Sequence, residues 1–232
     1  MKPLAVIPTY NEIENIVTLI PSIFSVYPDI NILVVDDNSP DGTAAAVKRI
    51  AESNTSVHIL SRAGKQGGAT AFLDGFSWGI KNGFDVLLAM DADFSHDPKY
   101  IPLMLTEIEK ADLVIGSRNI PGGSIENRSI IRNILTKGGA LYCRLLLKCP
   151  IKDFTGGFNA WRKTTLEKIS FMETSSRGYS FQIEMKYKTY KNELKITEIP
   201  IIFPDRKKGQ SKMSGSYLLK ALLDVWKIRK MI

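Results

Sequence analysis

Cysteine is nearly absent from this 232-residue chain; Cys143 and Cys149 are the only two, and they form no CxxC pair. A disulfide-built fold is excluded, and two sparse thiols suit a reducing compartment and ordinary structural roles. Histidine is as scarce. His58 falls in a strand-like run and reads as core, while His96 follows an acidic stretch and is kept as a group that could back a site there. No apolar run approaches the ~20 residues needed to span a bilayer; residues 86–90 and 217–226 are short or interrupted by charge. The N-terminus, MKPLAVIPTYNE, lacks the apolar core and small-residue cleavage site of a signal peptide. Two phosphate-cradling signatures are also missing. No GxGxxG follows the first strand-like run, and Gly64-Lys65 is followed by Gln66 rather than Ser or Thr. With no repeat, low-complexity linker or evident boundary, one domain spanning 1–232 is expected.

What is present is an ordinary globular composition, 44% apolar and 24% charged, which rules out disordered and collagenous classes. The net charge of +7 would usually raise nucleic acid as a partner. Its distribution is more specific. Residues 1–120 hold 9 Lys and Arg against 15 Asp and Glu, net −6; residues 121–232 hold 22 against 9, net +13.

In the acidic half, aliphatic runs at 4–7, 32–35, 57–60, 86–90 and 113–115 read as strands buried on both faces. Helical spacing fills the gaps, at 12–24, 43–51, 70–80 and 98–108, with Ile13, Ile16, Val17, Ile20 and Phe24 on one side of the first. Alternation of this kind predicts an α/β fold with a mostly parallel sheet flanked by helices, Rossmann-like in layout. Ligands of such sheets bind beyond the carboxyl ends of the strands. After Gly122-Gly123 the pattern changes. A long helix is expected over 130–148, with Ile131, Leu135, Tyr142, Leu145 and Leu146 on its apolar side. A second is expected over 180–190, a strand over 196–203, and a basic amphipathic helix over 217–232 striped by Tyr217, Leu218, Ala221, Leu222, Val225 and Trp226.

Two strand ends carry acids. The second run closes on Asp36-Asp37, which could accept hydrogen bonds from a base or ribose; equally, Asp37 and Asp41 could do no more than cap a turn and a helix. The fourth runs straight into Asp91-Ala92-Asp93. Neighbouring carboxylates at a strand end repel unless a cation sits between them. Hard divalent ions take oxygen ligands and commonly bridge to substrate phosphates.

Together, residues 6–12 (VIPTYNE), 34–43 (VVDDNSPDGT), 62–65 (RAGK) and 90–98 (MDADFSHDP) resemble a family 2 glycosyltransferase of the GT-A fold. Residues 116–118 (GSR), 153–158 (DFTGGF), 177–184 (RGYSFQIE) and 203–213 (FPDRKKGQSKM) narrow the resemblance to the polyprenyl-phosphate (dolichyl-phosphate) mannose synthases. It runs over nearly the whole chain. The resemblance implies that Pro8, Tyr10, Glu12 and Asp37, with Asp36, Lys65 and Ala92, hold the nucleoside diphosphate. It implies Mg²⁺ or Mn²⁺ on Asp91 and Asp93, and Arg118, Arg132, Arg206 and Lys212 on acceptor and donor phosphates, with Arg206 among the catalytic groups. The chain departs from the pattern at three places. Ser95 stands where some members use Gln as a further metal ligand, Gly68-Ala69 replaces Leu-Gly, and Asn159 stands where many carry Arg or Lys.

Residues 1–120 would then serve nucleotide and metal, and 121–232 the acceptor and a membrane face. The implied reaction is inverting, metal-dependent transfer of mannose from GDP-mannose to a polyprenyl phosphate at the cytoplasmic face of a membrane. An anchoring subunit or a further transmembrane segment fits the resemblance as well. A phosphate acceptor needs no general base, because its second pKa of about 6 leaves it largely dianionic; it needs cations, for which arginine's planar fork is suited. The basic half follows from that, and nucleic acid does not. Rival readings keep the mechanism with UDP-glucose and undecaprenyl phosphate, or use a hydroxyl acceptor, which would require a carboxylate base.

Overall fold

The computed structural model describes residues 1–126, 130–204 and 215–232, without the side chains of 130–137, 179 and 215–222. The first half alternates as the sequence predicts: β1 (Pro3–Thr9), α1 (Ile13–Val26), β2 (Asn31–Asp36), α2 (Thr43–Ser53), β3 (Val57–Ser61), α3 (Gly68–Lys81), β4 (Val86–Ala89), α4 (Ile101–Glu107) and β5 (Leu113–Ser117). A 3-10 turn, Pro98–Tyr100, leads into α4, started by the Asp97 carboxylate, which accepts from the backbone N–H of Lys99. Then come β6 (Ser124–Glu126), α5 (Ile130–Leu147), β7 (Asn159–Arg162), α6 (Lys163–Lys168), α7 (Tyr179–Lys191), β8 (Ile196–Pro200), β9 (Ile202–Pro204) and α8 (Gly215–Met231).

Seven strands form one sheet in the order β3-β2-β1-β4-β7-β5-β8. All neighbours pair in parallel except β7, which runs antiparallel between β4 and β5. The expected strand over 196–203 is in fact two. Its second part, β9, leaves the main sheet to pair with β6.

Strand side chains alternate between the two faces, as the pleat requires. Leu4, Val6, Leu33, Val35, Leu87 and Ala89 pack with α3, α5, α7 and α8. Ala5, Ile7, Ile32, Val34, Val86 and Leu88 pack with α1, α2 and α4. The strands are therefore apolar throughout because both faces are covered. Two helical stripes differ from expectation. In α1 the buried residues are Ile16, Leu19, Ile20 and Ile23, whereas Val17 is 38% exposed. In the C-terminal helices, Cys143, Leu147, Val225 and Ile228 face the core, while Leu145 is 70% and Trp226 47% exposed.

Helix α3 lies unusually close to the sheet at two glycines four residues apart. A Cβ at Gly75 would stand 2.3 Å from Val6 Cγ1 and 3.1 Å from Val35 Cγ2; one at Gly79 would stand 2.4 Å from Leu87 Cδ1. Valine is stiff at χ1 and cannot withdraw, whereas a leucine tip can turn aside. Gly75→Ala should therefore cost about 1–3 kcal/mol by overpacking, and Gly79→Ala less. Gly68→Ala, with nothing within 4 Å of the new atom, should be close to neutral. Urea midpoints of the three variants check this ranking.

Candidate active site

The carboxyl ends of the parallel strands and the start of the reversed β7 share one edge of the sheet. Three loops on that edge, after β1, β2 and β4, each turn through a left-handed residue: Asn11 (φ 60°), Asn38 (φ 60°) and Phe94 (φ 59°). Asparagine tolerates that region, but a phenylalanine there is strained.

Where β1 and β2 end, Asp36 is fully buried and accepts from Thr9 Oγ1 at 2.9 Å, from the Ser39 amide at 2.9 Å and from Ser39 Oγ at 2.6 Å. Asp37 accepts from Arg62 Nη1 at 2.6 Å and from the amides of Gln66 and Gly67, both at 3.1 Å. Arg62 also reaches Asp74, Gln66 and Thr70. Both strand-end acids thus shape the neighbouring loops with their own hydrogen bonds. Asp41 joins the two helix starts, accepting from the Ile13 amide with one oxygen and from Thr43 with the other. Tyr10 and Lys65 meet at the rim, with Lys65 Nζ 3.9 Å from the Tyr10 ring centre. Pro8 pairs in register with Val35 beneath them, and the Glu12 carboxylate accepts from Asn15 Nδ2 at 2.6 Å.

Beyond β4, Met90 continues the ladder to Val6, and Asp91 emerges with its side chain 40% exposed. The buried His96 lies behind it. Its Nδ1 accepts from the Asp91 amide at 2.8 Å, which leaves the proton on Nε2, 3.9 Å from Asp91 Oδ2. The His96 ring stacks on Phe158 at 4.9 Å. Asp93 Oδ1 accepts from the Ser95 amide at 3.1 Å and from Ser95 Oγ at 2.5 Å. Ser95 is buried and its hydroxyl supports Asp93, while Ala92 is buried between the two acids. Among the described residues no group of three His, Cys, Asp or Glu gathers around one point. Two hard oxygen donors on one partly exposed loop nevertheless fit Mg²⁺ or Mn²⁺, which take one or two carboxylates and complete their shell with phosphate and water.

The basic side is built on Asp153, which is fully buried. Arg118 grips it through its amide at 2.9 Å, Nε at 2.7 Å and Nη2 at 2.7 Å, and Nη2 also reaches Thr155 Oγ1 at 3.0 Å. The Gly156 amide closes the turn onto Asp153 Oδ1 at 2.9 Å. Burial would raise the Asp153 pKa, but the Arg118 charge and hydrogen bonds, with Lys186 behind, bring it down to about 2. Glu198 on β8 accepts from the amides of Lys152 and Asp153. The turn then delivers Gly157, where a Cβ would be 3.3 Å from His96 Cε1 and 3.9 Å from Asp91 Oδ2. The turn and the acidic loop are in contact.

The structure thus brings Pro8, Tyr10, Glu12, Asp36, Asp37, Lys65, Asp91, Ala92, Asp93, Ser95 and Arg118 to one edge. Arg206 and Lys212 lie outside the described residues, as does the side chain of Arg132. Sequence reasoning gave no role to Arg62, Asp153, Lys186 or Glu198. The motifs 62–65 and 153–158 contain two of them, but nothing in the sequence shows that Arg62 meets Asp37 or that Asp153 meets Arg118.

Asp153 is ionised in both states at neutral pH, and its folded pKa lies below the ordinary 3.8. Its stabilising contribution is thus complete above about pH 4 and is lost as pH falls through about 2. Asp153→Asn should be less stable than the parent at pH 7, and the gap should narrow by about 2 kcal/mol between pH 4 and pH 2. Paired denaturant titrations at the two pH values measure it.

Comparison with known proteins agrees with this architecture. Residues 4–170 match the Glycosyl transferase family 2 profile. Undecaprenyl-phosphate mannosyltransferase of Micrococcus luteus is 42% identical over 97% of this chain and 93% of its own length. Polyprenol monophosphomannose synthase of Mycolicibacterium smegmatis is 42% identical over 98% and 88%. Among solved structures, glucosyl-3-phosphoglycerate synthase from Mycobacterium tuberculosis with Mn²⁺, UDP-glucose and phosphoglyceric acid superposes with TM-score 0.71 at 16% identity, covering 99% of this chain and 80% of that one. A mannosyltransferase from Pyrobaculum calidifontis with GDP-Man and Mn²⁺ gives TM-score 0.59 at 15% identity over 99% and 73%; at such identities these two bear on the fold alone. The acid-ended parallel strands, the reversed β7 and the sequence match agree: the chain belongs to glycosyl transferase family 2 and is a glycosyltransferase of the GT-A fold.

Proposed function

We propose that this chain is one catalytic unit that transfers mannose from GDP-mannose to a polyprenyl phosphate, with inversion at the anomeric carbon. The observation that carries the reading is the neighbourhood of Asp91 and Arg118. They follow β4 and β5, which are separated only by β7, so the acidic loop and Arg118 leave the sheet at the same edge, one strand apart. The names of the two 42%-identical relatives supply the sugar and the lipid phosphate.

Tyr10, Lys65 and Glu12 would receive the nucleoside at the rim, with Asp36 and Asp37 holding the loops that shape its bed. Asp91 and Asp93 would hold Mg²⁺ or Mn²⁺, which when bound offsets charge developing on the leaving diphosphate. Arg118 would contribute its guanidinium charge to binding the acceptor phosphate, and its fixed pairing with Asp153 would limit the reorganisation needed. Arg132, Arg206 and Lys212 would add further cations. The acceptor oxygen, already anionic, attacks from the face opposite the diphosphate, and the anomeric bond breaks as the new one forms.

A donor panel on purified protein with a short polyprenyl phosphate tests this. GDP-mannose should give a β-linked product, UDP-glucose should not replace it, and chelation should stop turnover until Mg²⁺ or Mn²⁺ is restored. Asp91→Ala should lower kcat by roughly 10³-fold, equivalent to about 4 kcal/mol. An α-linked product contradicts inversion, and full turnover by Asp91→Ala contradicts the metal role.

We further propose that α5 and α8 form the membrane face, on the cytoplasmic side. Among the described residues no helix is long and apolar enough to cross a bilayer. Leu141 and Leu145 on α5 and Leu223 and Trp226 on α8 are exposed, and Lys230 lies over the Trp226 ring at 3.7 Å. Exposed apolar groups beside cations suit the headgroup layer of anionic lipid. Co-sedimentation with anionic vesicles at low salt should be strong, weakened by salt, and reduced about tenfold or more in Leu223→Ser/Trp226→Ala. No binding at low salt contradicts it.

A further inference from the structure

Among the described residues, Lys186 stands out as a fully buried cation. It sits on α7 and donates from Nζ to two carbonyls of the same turn, Asp153 O and Gly156 O, both at 2.8 Å. A buried ammonium is strongly disfavoured unless its surroundings answer it. An apolar side chain of similar volume would avoid that cost, so the amine itself needs a reason to be there.

The geometry supplies one. Gln182 and Lys186 are four residues apart on α7 and share a helix face. Gln182 accepts from Asn159 Nδ2 at 3.0 Å, and Asn159 Nδ2 donates also to Gly156 O at 3.0 Å. The Gly156 carbonyl is therefore held by two donors, Lys186 from below and Asn159 from the strand. The same turn carries the Asp153 carboxylate that fixes Arg118 and the Gly157 backbone that closes on His96 and Asp91.

We propose that Lys186 is a positioning residue, whose amine pins the 153–157 turn and thereby holds Arg118 in place for the acceptor phosphate. This rests on the acceptor role given to Arg118 above. Lys186 touches neither substrate in this scheme; it acts through backbone carbonyls. Its charge is set by the groups around it. Burial lowers its pKa and Arg118 adds to that, while Asp153 and Glu198 pull it back up, to about 7. The cation that grips the two carbonyls is consequently weakened as pH rises through neutrality.

Three measurements decide it. In Lys186→Met, the KM for polyprenyl phosphate should rise tenfold or more while the KM for the nucleotide sugar stays within twofold. Amide exchange at Gly156 and Gly157, followed without substrates, should accelerate by tenfold or more. Between pH 6.5 and 8.5 the parent's acceptor KM should rise more steeply than that of Lys186→Arg, whose guanidinium keeps its charge; acceptor ionisation is common to both. An unchanged acceptor KM in a folded Lys186→Met, or unchanged exchange at the turn, overturns the proposal. Should Lys186→Met not fold, identical pH profiles for the parent and Lys186→Arg overturn it and a steeper parent profile supports it. If the parent transfers nothing to polyprenyl phosphate, the acceptor assignment fails by itself, and the exchange experiment still judges the pinning of the turn.

Discussion

The carboxylate of Asp153 is the interaction on which the basic side of this active site depends. It is removed from water, and such a charge survives only if its oxygens are well answered. Arg118 answers both oxygens, the Gly156 amide answers one, and Lys186 contributes charge through the turn. Glu198 ties the same segment to β8 through the amides of Lys152 and Asp153. Residues from the end of β5, from α7 and from β8 thus converge on one segment. None of the cations there is a free surface charge, and the guanidinium of Arg118 is oriented before any substrate arrives.

Strand β7 explains why that charge cluster lies next to the acidic loop. Were β4 followed in space by β5, the two strand ends would be direct neighbours, with no room between them. The reversed β7 is inserted there, and it enters the sheet at the very edge where β4 and β5 leave it. The turn before β7 therefore lies between Asp91 and Arg118, and its glycines let backbone approach where a Cβ would be crowded. The acidic loop and Arg118 are spaced by a turn rather than by a helix or a long loop.

Much of this was legible in the sequence. The five parallel strands and their order along the chain followed from aliphatic runs, and the Asp91–Asp93 loop from the acids that end the fourth. What was not legible has physical causes. β7 is four residues long and reads Asn-Ala-Trp-Arg, so it has neither β-branched enrichment nor alternation to betray it. Helix α7 has no apolar stripe, because Gln182, Glu184 and Lys186 are buried with Phe181, Ile183 and Met185; a polar residue on a helix is read as exposed unless its partner is known. Trp226 and Leu145 fit a core stripe by spacing and are exposed instead, since periodicity shows that a helix has an apolar side and not what covers it. Partners distant in sequence, such as Asp37 with Arg62 or Arg118 with Asp153, leave no local trace.

The division of charge between the halves takes a different meaning once these partners are known. In the acidic half, Asp36, Asp37 and Asp41 direct their oxygens at protein amides, hydroxyls and Arg62. They shape loops more than they attract a cation. Asp91, by contrast, keeps its side chain partly open to solvent on the same edge. In the basic half, Lys186 is drawn inward to the Asp153 turn, where Arg118 of the first half also pairs, while Lys227 and Lys230 remain exposed beside apolar groups on α8. A net charge counts all of these alike. Position sorts them into charges answered inside the protein, which build the loops, and charges left open to solvent, and only the latter contribute long-range attraction, which falls off within about 10 Å at ordinary salt.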